Sequence, residues 1–187
     1  SELRSQWLAT RRHLLADSYE LARLAARSIH GVDDEQAWIV RDLTRAAAPI
    51  ASLASLGQLT CERAWQQRER ALQRAPKVVM ETLRSLTDER AWSMRWQVAA
   101  NAKEALDSIT DLDDEQAWTL REAFRDVWPS TVVKTLGVLS DSERSRMLVE
   151  RQLAVHPNNV SLLKHASAIA LGVHRASHVD EPGALRA

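Results

Sequence analysis

The chain has 187 residues, of which 45% are apolar and 27% charged, and its 25 basic and 25 acidic side chains cancel. That length allows one sizeable core, and that composition excludes a disordered polymer. Zero net charge argues against general affinity for nucleic acid or anionic membranes, and a single cysteine, Cys61, excludes an internal disulfide or a multi-cysteine metal site.

The first stretch, "ELRSQWLATRRHLL", starts inside a helix-like pattern and carries Trp7. It predicts a degenerate opening unit and a segment of something larger. The next landmark is "DDEQAW" at residues 33–38, spelled again at 113–118. It belongs to a longer periodicity. Trp recurs at 38, 65, 92 and 118, with spacings of 27, 27 and 26. Ala precedes each Trp, at Ala37, Ala64, Ala91 and Ala117. Glu stands three before it, at Glu35, Glu62, Glu89 and Glu115. Arg stands three after it, at Arg41, Arg68, Arg95 and Arg121. Pro49, Pro76 and Pro129 follow each Trp by eleven, with Lys103 as the exception. Several columns agreeing at one period mark a repeat architecture.

Each unit predicts two helices. Asp33, Thr60, Thr87, Asp113 and Ser140 suit an N-cap, where a side-chain oxygen accepts from first-turn amides. Gln36, Gln116 and Glu143 then fall at the capping-box spacing. Proline suits the first turn of the second helix, where its missing N–H costs nothing. Apolar residues three apart (Leu53/Leu56, Met80/Leu83/Leu86, Leu106/Ile109, Val133/Leu136) line that helix. Residues 141–157 repeat the pattern weakly, with Arg146 in the Trp position and Pro157 in the proline column.

These signals predict an all-α fold, a solenoid of about six stacked helical hairpins. The repeat domain is expected over 1–174, with clear repeats over 33–139. A flexible tail is expected over 175–187. No apolar run approaches a membrane span of about 18 residues, and no signal peptide is evident, so a cytoplasmic location is expected.

Candidate chemistry is sparse. The Arg column, Arg41, Arg68, Arg95 and Arg121, admits two readings. As a ladder it could grip phosphates or an acidic peptide. Internally, each guanidinium can pair with acids of a neighbouring unit or stack on Trp. The internal reading is the stronger. The Trp column reads as the spine of the stack. Trp96 and Trp128 are off-column, each occurring in one repeat, and are contact-surface candidates. His174 and His178 are four apart, but nothing completes a zincin motif, and no metal is expected. Cys61 stands in a first helical turn without an evident His partner. There is no phosphate-cradling glycine loop and no G-x-S-x-G, so neither a cofactor nor catalysis is expected.

The "DDEQAWxxR" pattern with "AP" or "WPS", closing in "HPNNVSLLKHAS", resembles a helical repeat region of some larger bacterial proteins. Among these are thymidylate-kinase-like chains, whose repeats are appended to a P-loop domain. The resemblance spans residues 33–170. The G-x-x-x-x-G-K-[ST] loop is absent, so no kinase site carries over. A more distant likeness is to the W-x-x-R helices of prenyltransferase α subunits and to tetratricopeptide stacks. The expected function is a non-catalytic scaffold that binds a protein or supports an attached domain. The alternative is nucleotide or nucleic-acid binding through the arginines.

Overall fold

A computed structural model describes residues 18–100, 103–137, 139, 142–164 and 166–167. Every regular element among them is helical. In chain order these are α1 (Tyr19–Ser28), α2 (Glu35–Thr44), α3 (Pro49–Ala54), α4 (Glu62–Ala71), α5 (Pro76–Leu83) and α6 (Glu89–Ala99). They continue with α7 (Glu104–Asp107), α8 (Glu115–Phe124), α9 (Pro129–Lys134) and α10 (Glu143–Val155). Trp7, Ser140, His174, His178 and the tail from 175 lie outside the described residues.

The chain divides into two compact units between Val98 and Ala99. In the first, α2 packs on α3 and α4 on α5, while α1, α3 and α5 pack on one another in succession. In the second, α9 packs on α7, α8 and α10. Hairpins laid against the next hairpin bury apolar faces that one hairpin would leave wet. The tryptophans Trp38, Trp65, Trp92 and Trp118 are buried, as are the alanines before them. Leu83 and Leu106 from the second helices, and Leu56, Ile109 and Leu136 from the turns that follow them, complete the core.

The helix starts correct the predicted caps, by one residue in the Trp-bearing units and by two at the last, where Ser140 was expected. Asp34 caps α2 by accepting from the Ala37 amide at 2.7 Å. Asp114 caps α8, accepting from Gln116 and Ala117, and Asp88 accepts from Ala91 at the start of α6. Ser142 caps α10. The residue before each aspartate has a different task. Asp33 accepts the indole N–H of Trp38 at 2.7 Å, and Asp113 accepts that of Trp118 at 2.7 Å. At Trp92 the carbonyl of Thr87 accepts instead. The "DD" doublet therefore caps the helix with its second residue and satisfies the buried indole with its first. The same shift removes the capping-box geometry. Gln36 and Gln116 fall at the second helical position, and Glu143 opens its helix.

Proline occupies the first turn of α3, α5 and α9. Before each repeat the chain turns sharply. Gly57 is left-handed at φ +52°, and the imidazole of His30 lies 3.0 Å from where a Cβ would stand. Ser85 and Asp111 adopt left-handed backbone without being glycine. The Gly31 amide donates to the Ser55 carbonyl, and the Asp111 amide to that of Thr135. In both cases a turn is tied to the end of the second helix that follows it.

Candidate functional site

The four column arginines are fully buried, so the column presents no guanidinium to solvent. Each leans over the ring of its own tryptophan, with the guanidinium carbon 4.4–4.8 Å from the ring centroid. Each then spends its donors on backbone. Arg68 donates to the Leu59 and Gly57 carbonyls of the preceding turn, at 2.6 and 2.8 Å. It also reaches Thr82 at the end of α5, at the hydroxyl (2.9 Å) and the carbonyl (3.3 Å). Arg121 repeats the arrangement with Leu112, Ile109 and both oxygens of Thr135. Arg41 uses Ile29, Val32 and both oxygens of Ser55. Arg95 donates to Leu86 and Leu83.

Helix ends leave carbonyls without intrahelical partners, and a planar five-donor fork can serve several at once. The column thus pins one hairpin's closing turn to the next hairpin's second helix. Burial opposes the charged form, pulling Arg68 and Arg121 down to about 10 against partial support from Asp88 and Asp113 respectively. Both remain cationic at neutral pH. The arrangement is a set of separate internal sites, since every guanidinium has its own carbonyl set.

A second set of arginines covers the outer faces of the rings. It lies two residues before the next tryptophan position. Arg63 stands over Trp38, Arg90 over Trp65 and Arg144 over Trp118, at 4.9, 5.4 and 4.5 Å. Three rings therefore sit between two cations, one from their own unit and one from the next. The outer arginines are anchored by acids. Arg90 pairs with Glu62 at 2.6 Å and Glu69 at 2.7 Å, which raises its pKa and lowers that of Glu62. Arg144 pairs with Glu115 and lowers its pKa. Arg63 reaches Glu35 and Asp42. The Glu column, expected to pair with the column arginines, is instead one half of this clamp.

The off-column tryptophans part company. Trp96 is 39% exposed on α6. Trp128 supplies the backbone that opens α9, and its ring is half-buried. Cys61 occupies the cap position of α4 but caps nothing, and its thiol faces Asp33 at 3.5 Å. Among the described residues no cluster of ligand-type side chains could hold a metal, and no helix is long and apolar enough to cross a membrane.

The surface features sequence reasoning missed are two grooves in the first unit. One, of about 410 Å³, has Pro49, Ile50, Leu53 and Ala71 as its apolar wall and Arg45, Arg70 and Arg74 around it. The other, of about 440 Å³, runs beside α1 past Arg23, Arg27 and His30. Ile50, 52% exposed, lines both. No acidic side chain lines either one. The signal was present in "RERALQRAP", but these arginines lie off the repeating columns and so carried no periodic mark.

No protein-family description, curated protein or solved structure matches the chain.

Proposed function

We propose that the chain is a non-catalytic helical-repeat module that binds another protein, serving as a scaffold or as an accessory part of a larger bacterial protein. One observation carries this reading. The Trp, Ala and Arg columns repeated from unit to unit are buried, whereas the groove beside Pro49 is lined by Ile50 and Arg74, whose phases hold other residues in every other unit. An internal network repeated in each unit is architecture, and function in such folds resides on the exposed grooved face. The alternative, phosphate binding by the arginine ladder, would need guanidiniums that reach a ligand. Full burial of Arg41, Arg68, Arg95 and Arg121 weighs against it.

The test is affinity capture with the chain as bait from a bacterial lysate at low and moderate salt. Captured proteins are then purified and their affinities measured by titration. A protein that binds in purified form at both salts supports the reading. Retention of nucleic acid alone, lost as salt rises, would replace it with phosphate binding.

A further inference from the structure

We propose that the groove between α3 and the C-terminal end of α4 binds an acidic protein segment that carries an aliphatic anchor side chain. The inference rests on the protein-binding reading above and names the partner's chemistry. Charge is the first support. Arg45 is held by Asp42, while Arg70 and Arg74 are exposed and enter no ion pair among the described residues. With no carboxylate in the wall, these cations face an opening that only an incoming anion can neutralise.

The wall is the second support. Ile50 is half-exposed and Leu53 lies behind it, so the cations flank an apolar surface rather than a polar one. A phosphate backbone would leave that surface wet. A peptide alternating carboxylates with Leu or Ile would cover it and meet both arginines. The third support is singularity. Arg74 stands in the phase held by Ala47, Asn101, Val127 and, in the closing unit, Val155, while Arg70 shares its phase with Arg12 and Arg151 of the end units. No repeat-building contact uses a cation at the Arg74 phase, whereas at the Arg70 phase Arg151 pairs with Glu122 of the unit before it. The neighbouring groove, which shares Ile50 and adds Arg27, extends the same chemistry toward α1.

The experiment is fluorescence anisotropy of the full chain with a labelled peptide of Glu-Asp-Leu repeats. The comparison probes are the same peptide with Ser in place of Leu and a labelled single-stranded oligothymidylate. The Leu peptide should bind more tightly than either comparison probe. The double variant Arg70→Glu/Arg74→Glu should weaken it by at least about tenfold, as reversed charge at a rim does. Ile50→Ser should remove the preference for Leu over Ser, and Arg146→Glu, on α10, should change nothing. All four positions are exposed, and circular dichroism checks that the variants remain folded. Failure of the Leu peptide to bind, equal binding by the doubly reversed chain, or tighter binding of the oligothymidylate would each overturn the proposal. A captured partner that binds the doubly reversed chain as well as the parent would sink the groove and leave the scaffold reading standing.

Discussion

Arg68→Gln tests whether the buried column holds neighbouring hairpins together. The substitution removes all four donor contacts to Leu59, Gly57 and Thr82, together with the stack on Trp65 at 4.7 Å. The Leu59 carbonyl is partly buried and can find water, but those of Gly57 and Thr82 are buried. Two orphaned acceptors at roughly 1.5 kcal/mol each, plus about 1 kcal/mol for the ring contact, give about 4 kcal/mol. Relief of the guanidinium's own desolvation offsets part of this, so the expected loss is about 2–4 kcal/mol. Arg68→Lys should recover little, because an ammonium cannot fork to both the turn and the helix end. Urea unfolding followed by circular dichroism reads the loss, and hydrogen exchange of the Gly57 and Thr82 neighbourhoods locates it. A loss below about 1 kcal/mol with an unchanged m-value would refute the argument that the column is structural.

Three further expectations follow from the same contacts. Cys61 leaves a helix start without a side-chain cap, so Cys61→Ser should raise stability by about 0.5–1 kcal/mol by urea denaturation, keeping a donor toward Asp33 while accepting from a first-turn amide. Glu62 and Glu115 are lowered in the folded state from the ordinary 4.5, so their contribution is complete above that pH and is lost as pH falls through their folded values. Thermal melts should therefore drop most steeply below about pH 4.5, and added salt at neutral pH should mimic part of the loss. Arg90→Glu should lower the urea midpoint by placing a third carboxylate beside Glu62 and Glu69, and adding Glu69→Arg should restore most of it. A double variant no more stable than the single one would show that the clamp is not electrostatic.

Much of the fold was legible because repeated chemistry is visible as columns. The Trp, Ala and Arg columns and the N1 prolines all mark positions that the structure uses identically in each unit. The caps were displaced by one because two aspartates stand side by side and either can cap a helix. Only the indoles of Trp38 and Trp118, reaching back to Asp33 and Asp113, distinguish them. The hydroxyls that receive the column arginines, Ser55, Thr82 and Thr135, stand fourteen after Arg41, Arg68 and Arg121. That column was readable, but it mixes two residue types and falls on no apolar face. The groove was not readable by periodicity, because Ile50 and Arg74 each occur at their phase in one unit.

The irregular positions of the clamp obey the same logic as the regular ones. Where an arginine stands two before the Trp position, the preceding unit supplies an acid at each of two phases, three before and four after its own tryptophan. Arg63 follows Glu35 and Asp42, Arg90 follows Glu62 and Glu69, and Arg144 follows Glu115 and Glu122. Where the position holds glutamine, that acid pair is broken. Gln36 follows Arg4 and Arg11, and Gln116 follows Glu89 and Trp96. Trp96 stands at the phase where the clamp's second acid otherwise stands. Arg74 has no such counterpart in any unit. The acid pair of the preceding unit accounts for where the clamp's arginine stands, and Arg74 follows no such rule.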